Sequence, residues 1–141
     1  MKHKKTKAVL LPEYNDNLIR ALVGLKVAEI EIPALKSGEV LIKMEATPCN
    51  PSDIAFMRGG YNIVKPLPTV PGFEASGEVV ETAPDARHMT GKRVSCFSQA
   101  DSGGTWSEYF LASAKDCIVL KDEMDMKQAA CLSINPLTAF G

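Results

Sequence analysis

The residues of this sequence that could transfer a proton or hold a ligand are concentrated between positions 49 and 61. Tyr61 has a phenol with a free pKa near ~10, so it is protonated at neutral pH and can donate a proton. Asn50 has an amide that can fix a water molecule or a substrate. A site without a metal needs hydrogen-bond donors to stabilise negative charge that develops on a carbonyl oxygen. Tyr61 and Asn50 are therefore candidates for a catalytic role.

Each of these residues also has a structural interpretation. Tyr61 could be an aromatic anchor that closes the turn at Gly59-Gly60, and Asn50, which precedes a proline, could cap a short helix. Asp53 is better interpreted as a helix-capping acid than as a catalyst. Cys49 is not predicted to be a nucleophile, because no histidine is close to it in sequence and a free thiol has a pKa near ~8.5.

No metal site is predicted from the cysteines and histidines. His3 and His88 lie in a basic tail and in a turn-like stretch, and we expect both to be exposed and without a role. The four cysteines are widely spaced and contain no Cys-x-x-Cys pair: Cys49, Cys96, Cys117 and Cys131. This usage is typical of reduced, mostly buried thiols in a cytoplasmic protein.

The composition excludes several classes of protein and partner. The 141 residues are 45% hydrophobic and 23% charged, which excludes a disordered tail, a collagenous chain and a coiled coil. A net charge of −1 gives no positive field, so no nucleic-acid partner is expected. No apolar stretch approaches the ~18 residues of a membrane span, and the basic start lacks the apolar segment of a signal peptide. We therefore expect a cytoplasmic protein without membrane contact.

Alternating apolar and polar residues predict the strands that must position these side chains. The turns between them are marked by Gly, Pro, Asn and Asp. A short helix is predicted from residue 52 or 53 to Met57, capped by Ser52 or Asp53. The predicted strands cover residues 8–11, 27–32, 40–46, 73–83, 93–97, 106–112 and 117–120. Many short strands favour a barrel or a sandwich.

The last residues predict two helix starts. Asp125 precedes an Ala-rich run with Gln128 three residues on, which is a variant of the capping box. Asn135 then resembles a helix cap followed by Pro136 at the first helical position, but the sequence stops at Gly141 after barely one turn. We expect that the sequence was cut just inside a following domain.

A series of short motifs carries a resemblance to a known family. They are Asn50-Pro51-Ser52-Asp53, Arg58-Gly59-Gly60-Tyr61, Leu67 to Glu74, Gly77 to Val80, Gly91 to Val94, Gly104 to Tyr109 and Asn135 to Ala139. In this order they resemble the N-terminal, GroES-like half of the medium-chain dehydrogenase/reductase superfamily. The resemblance runs from about residue 7 to residue 141 and is closest to the zinc-free branch of quinone oxidoreductases and 2-enoyl thioester reductases.

This resemblance implies a mainly β fold with short helices, a GroES-like, partly open β-barrel. Residues 1–134 would form the catalytic, substrate-side domain, and residues 135–141 would begin the helix that leads into an α/β Rossmann domain. That nucleotide-binding domain is missing from this chain, which contains no Gly-x-Gly-x-x-Gly. The implied activity is reduction of a quinone or an α,β-unsaturated carbonyl or enoyl thioester with NADPH or NADH. The present chain alone is expected to be inactive.

The resemblance also implies roles for individual residues. Tyr61 matches the tyrosine assigned as proton donor in enoyl thioester reductases, which makes Tyr61 and Asn50 the predicted catalytic residues. Asn50 and Thr138 match residues near the nicotinamide, although Thr138 could equally be a core-facing helix residue. Zinc-dependent relatives place ligands where this chain has Asn50 and Phe73, and neither side chain can replace a thiolate or an imidazole. No zinc is therefore expected.

Two other classes of protein remain open from the sequence. One is a non-catalytic homologue that acts as a binding protein, and the other is a co-chaperonin-like module that shares only the fold. Under the favoured interpretation, we expect the full-length protein to act on a small-molecule substrate and to form a homo-oligomer.

Overall fold

The computed structural model of this chain describes residues 2–97 and 103–140. Within these residues the strands are β1 Lys5–Leu10, β2 Lys26–Glu31, β3 Glu39–Ala46, β4 Glu74–Thr82, β5 Arg93–Phe97, β6 Tyr109–Ser113 and β7 Cys117–Val119. The helices are α1 Leu18–Gly24, α2 Pro51–Met57, α3 Met126–Ala129 and α4 Asn135–Phe140, with 3₁₀ turns at Pro84–Met89 and Ala114–Asp116. The chain is mainly β with short helices, as the sequence predicts.

The strands form two sheets that do not close on each other. β1 and β2 make an antiparallel ribbon, with Lys5 opposite Glu31 and Leu10 opposite Lys26. The other five strands form an antiparallel sheet in the order β6-β3-β4-β5-β7. A bridge between Ala8 and Ser107 connects the ribbon to the segment that leads into β6. The predicted partly open architecture is confirmed.

The main core lies on one face of the five-stranded sheet and follows the predicted alternation. Its fully or nearly buried members include Val40, Ile42, Ala75, Val79, Val94, Cys96 and Phe110. Leu41 departs from the pattern, because it is also fully buried although it alternates with the core-facing residues. The register of β3 against β4 shifts between Leu41 and Ile42, so both faces of β3 are covered at this end.

A second core cluster lies beside α1 and α2. We call four of its aromatic rings, Tyr14, Phe56, Tyr61 and Phe73, the aromatic cluster. Phe56 and Phe73 are almost completely buried and meet edge to face at 5.5 Å between ring centroids. Tyr14 packs edge to face on Phe56 at 5.4 Å. The cluster gives the candidate site a rigid apolar base.

Helix α1 is the element that the sequence analysis did not predict. The residues before it, Asn15-Asp16-Asn17, have the Asn and Asp composition that marks a turn. Asn17 in fact caps the helix, since its side chain accepts a hydrogen bond from Arg20 N at 3.1 Å. A helix this short is unstable by itself, and Ala21 stabilises it by packing into the second core cluster.

Several predicted boundaries move in the structure. The strand predicted from residue 106 begins at Tyr109, and Asn135 is the first residue of α4 and not a cap before it. His3 is half-buried and stacks on Tyr109 with 4.6 Å between ring centroids, so the expectation that it is exposed is wrong, whereas His88 is exposed as predicted. Gly141, the other end of the predicted last helix, lies outside the described residues. Within residues 2–97 and 103–140, no helix is long and apolar enough to cross a membrane.

Candidate active site

The candidate residue Asn50 directly precedes helix α2, and its backbone N–H is bonded within the first turn. Asn50 is the cap residue, followed by Pro51 at the first helical position. The Asn50 backbone N–H donates to Asp53 Oδ2 at 2.7 Å. The predicted cap, Ser52 or Asp53, is therefore wrong by two or three residues, because Asp53 closes the first turn from inside the helix. The capping interpretation of Asn50 itself is correct.

Glu74 is a buried carboxyl that connects Asn50 to the opposite side of the site. It is 1% exposed at the start of β4. Its Oε1 accepts a hydrogen bond from Asn50 Nδ2 at 2.7 Å, and its Oε2 accepts one from Ile134 N at 2.8 Å. The Glu74 backbone carbonyl accepts from the hydroxyls of Thr47 and Thr105 at 2.9 and 3.0 Å. Glu74 thus bonds to four residues from three segments of the chain.

A second buried carboxyl, Asp53, lies on the other side of Asn50. Burial raises the pKa of Asp53 to about 6, and the nearby charge of Glu74 acts in the same direction. The backbone N–H groups of Asn50 and Phe73 oppose this shift. Asp53 Oδ1 is buried without a hydrogen-bond partner. An unpartnered carboxylate oxygen is costly to bury, which agrees with the raised pKa of Asp53.

A pocket of about 460 Å³ lies between the aromatic cluster and α4. Its walls are mostly apolar and carry a few polar side chains, as is usual for small-molecule sites. Tyr61 and Thr138 both line it. The other lining residues are Phe97, Lys115, Asp116, Ile118, Leu132, Ser133, Ile134, Pro136 and Leu137.

Tyr61 is half-buried in the wall of this pocket. Its ring packs on Phe73 with 5.2 Å between centroids and a tilt of 40°. The ring therefore has the anchoring contact of the structural interpretation, while the residue also borders a space where a ligand can bind. These two roles are compatible, because the ring supplies the packing and the hydroxyl supplies the proton.

Thr138 is exposed in the first turns of α4. Its Oγ1 donates to Ile134 O at 2.9 Å, and its backbone N–H donates to the same carbonyl at 2.9 Å. The hydroxyl hydrogen is thus used inside the helix, and the oxygen remains as an acceptor. The core-facing interpretation of Thr138 is wrong, since the residue is at the surface of the pocket.

Asn50 does not line the pocket with Tyr61 and Thr138. It is 7% exposed and lies behind the pocket wall. Its connection to the wall is indirect, through Glu74 to Ile134, and Thr138 hydrogen-bonds to Ile134 in turn. The structure therefore brings two of the three predicted residues into one pocket and links the third to them.

The positions where zinc-dependent relatives place ligands hold groups that do not fit a metal. Asn50 uses its amide on Glu74, and the Phe73 ring is buried in the aromatic cluster. No group of three or more His, Cys, Asp or Glu within the described ranges could hold a metal ion. Cys49 is exposed, and burial of its sulfur together with the charge of Asp53 raises the pKa of its thiol. A raised pKa makes this thiol a poorer nucleophile.

Glu74 is the site residue that sequence reasoning missed. In the sequence it is the last residue of the motif Leu67 to Glu74, and no role is predicted for its side chain. One signal was present: a carboxylate follows Pro71-Gly72-Phe73 directly at the start of an apolar strand, where a charge is expected only if it has buried partners. Its partner Ile134 is 60 positions away in sequence, so no local spacing identifies the pair.

Comparison with known proteins adds independent information on this arrangement. Residues 36–122 match the family profile of the alcohol dehydrogenase GroES-like domain. A mitochondrial enoyl-[acyl-carrier-protein] reductase of Arabidopsis thaliana is 33% identical over 143 aligned positions, which cover 96% of this chain and 35% of that protein. A chloroplastic quinone-oxidoreductase homologue of Spinacia oleracea is 33% identical over 82% of this chain and 36% of its own length.

A solved structure gives the same result for the fold. A proposed NADPH:quinone reductase from Mesorhizobium loti superposes with a TM-score of 0.87 at 33% identity, over 99% of this chain and 43% of that one. This chain therefore spans well under half the length of the relatives that it matches.

Proposed function

We propose that this chain is the substrate-side domain of a zinc-independent NAD(P)H-dependent reductase. The chain belongs to the alcohol dehydrogenase GroES-like domain family of the medium-chain dehydrogenases/reductases. The substrate would be a quinone or an α,β-unsaturated carbonyl, including an enoyl thioester. The relatives named above are oxidoreductases of these two kinds. The observation that carries the proposal is the apolar pocket with Tyr61 in its wall.

The chemistry of this domain follows from the groups around the pocket. A nicotinamide cofactor supplies the hydride when it is bound. Negative charge then develops on the carbonyl oxygen of the substrate, and Tyr61 donates a hydrogen bond or a proton to it. The aromatic cluster fixes the Tyr61 ring, so the phenol is preorganised for this role. The mostly apolar walls would hold an apolar substrate.

The residues of this chain fit only one end of such a cofactor. Thr138 faces the pocket from α4 and keeps an acceptor oxygen available. Asn50 lies one layer behind, fixed by Glu74. The sequence contains no glycine-rich fingerprint to receive a pyrophosphate. Most of the binding energy for NADPH or NADH would thus come from another domain. No step is assigned to zinc, because the Asn50 and Phe73 side chains do not fit it.

The remaining sequence expectations belong to the same proposal. They are a small-molecule substrate, no nucleic-acid or membrane partner, a homo-oligomer for the whole protein, and a cytoplasmic location. The domain boundary after residue 134 is proposed on the same basis.

The test is an NADPH oxidation assay on the natural gene product that carries this chain. A para-benzoquinone and a trans-2-enoyl thioester serve as the two acceptors, and reduction of at least one is expected. Reduction of neither by folded, NADPH-binding protein would overturn the proposal in favour of a non-catalytic binding protein.

A further inference from the structure

The Glu74 side-chain carboxylate accepts hydrogen bonds from two described donors, and the Asp53 carboxyl lies near enough for the two charges to interact. One donor is the side-chain amide of Asn50, at 2.7 Å from Oε1. The other is the backbone N–H of Ile134, at 2.8 Å from Oε2. The side chain is almost fully buried, so water cannot substitute for either partner without a rearrangement.

This arrangement requires an acceptor at both ends of the residue 74 side chain. An ionised carboxylate has two acceptor oxygens, whereas a glutamine has one acceptor and one donor. The Ile134 N–H belongs to the backbone and cannot turn away, so a glutamine would have to direct its oxygen there. Its amide nitrogen would then face Asn50 Nδ2, donor against donor, and Asn50 would have to rotate its amide.

The two partners of Glu74 lead to the two residues that the proposed function places near the cofactor. Asn50 is one of them. The other is Thr138, which is held by Ile134, because the Ile134 carbonyl accepts both the backbone N–H and the hydroxyl of Thr138. The backbone of Glu74 is itself held by the hydroxyls of Thr47 and Thr105. The path Asn50–Glu74–Ile134–Thr138 therefore runs through one carboxylate.

We propose that Glu74 is a positioning residue of the reductase site, whose carboxylate fixes the Asn50 amide and the start of α4 in one geometry for the nicotinamide end of the cofactor. This inference rests on the proposed function. Glu74 touches neither the pocket space nor the substrate, so its effect is on cofactor binding more than on the proton transfer by Tyr61.

The hydrogen-bond arrangement is tested by exchanging donor and acceptor. Glu74→Gln should lower the melting temperature by about 5–10 °C, because the amide nitrogen of the glutamine and Asn50 Nδ2 are then two buried donors that face each other unless the Asn50 amide rotates. Asn50→Asp alone places an aspartate carboxylate against the carboxylate of Glu74 and should also lower the melting temperature. The double variant restores complementarity, with the glutamine amide donating to the aspartate and its oxygen accepting from Ile134. It should melt above both single variants. If the double variant loses as much melting temperature as the two single variants together, the proposed hydrogen-bond arrangement is overturned.

The positioning role is tested in the natural gene product by steady-state kinetics. Glu74→Gln should raise the KM for NADPH by about tenfold, with a smaller change in kcat and in the acceptor KM. The double variant, although restabilised, should keep the raised KM because it lacks the Asn50 amide. Glu78→Gln, an exposed residue on the same strand, is the matched control and should change neither quantity.

The outcomes separate this inference from the proposed function. An unchanged KM for NADPH in a folded Glu74→Gln variant, with an active wild type, overturns the positioning role alone. A wild type that reduces neither acceptor overturns the proposed function and this role with it. The melting temperatures of the four proteins decide the hydrogen-bond arrangement in either case.

Discussion

At the scale of single residues, the site combines a half-buried phenol with a small polar network behind it. Asn50 has two donor groups directed at carboxylates, its backbone N–H at Asp53 and its side-chain amide at Glu74. Such a network orients the amide but leaves it little freedom. Tyr61 is held differently, by ring packing on Phe73, and its hydroxyl makes no hydrogen bond within residues 2–97 and 103–140. The two predicted catalytic residues are therefore expected to respond differently to substitution.

Tyr61→Phe should lower kcat while leaving stability almost unchanged. The variant keeps the ring contact and deletes the proton donor, and loss of one such donor costs about 10²–10³ in turnover. Tyr14→Phe is the matched control, because the Tyr14 hydroxyl donates to Lys65 O at 2.9 Å and accepts from Lys65 N at 2.8 Å. That variant should lose stability and keep its turnover. An unchanged kcat in Tyr61→Phe would leave Tyr61 as a packing residue.

Asp53 should make the stability of the chain depend on pH in a defined direction. Its pKa is about 6 in the folded protein, whereas an unfolded aspartate has a pKa near ~4. Between these values the folded state binds the extra proton, so stability falls as pH rises. Relative to Asp53→Asn, the wild type should lose about 2 kcal/mol of unfolding free energy between pH ~4 and ~6, and no more above that. Urea unfolding of both proteins across this range measures the difference, and a difference independent of pH would contradict the assignment.

At the scale of elements, the sequence predicts what depends on local pattern and misses what depends on distant contacts. Strand β2 lies where alternation places it, since Ala28 and Ile30 are half-buried while Val27 and Glu29 are exposed. Strand β5 also lies where it is predicted, although its three central residues are buried on both faces. Helix α1 was missed because Ala21 stabilises it through the second core cluster, a tertiary contact. The Glu74–Ile134 hydrogen bond was invisible for the same reason. Tyr61, Asn50 and Thr138 were found through the family resemblance, and residue chemistry alone left the first two undecided.

The pairing of β3 with β4 depends on Gly77. A Cβ at this position would collide with the carbonyl oxygen of Lys43 and would lie 2.7 Å from Ile42 Cγ2. Gly77→Ala should therefore force the strands apart and destabilise the chain by about 2–3 kcal/mol. Gly24→Ala is the control, because its new Cβ meets only Pro12 Cγ at 3.9 Å. The control should be neutral or slightly stabilising in thermal melts. Equal melting temperatures for the two variants would mean that the strand contact is looser than described.

At the scale of the whole molecule, the pocket is lined by residues on both sides of the proposed domain boundary after residue 134, since α4 forms one of its walls. Its α4 wall is largely exposed, with Leu137 74% and Phe140 94% accessible. The relatives that this chain matches are more than twice its length. In the proposed enzyme, this chain supplies the substrate side and the proton, and a second domain supplies most of the contacts to the cofactor.

The 141-residue chain by itself should therefore not bind NADPH measurably. Dinucleotide affinity comes largely from a pyrophosphate on a helix N-terminus reached through a glycine-rich turn, and this sequence has no such turn. Tyr61 and Thr138 line the pocket and Asn50 lies one layer behind it, so even all three together could offer only a few hydrogen bonds to the nicotinamide end, worth about 0.5–1.5 kcal/mol each. Three such bonds fall short of the ~8 kcal/mol that micromolar affinity requires. Calorimetry should show no heat of binding for this chain and clear binding for a protein extended through a dinucleotide-binding domain. Micromolar affinity in the chain alone would place the cofactor site within these residues and would contradict its assignment as the substrate-side domain.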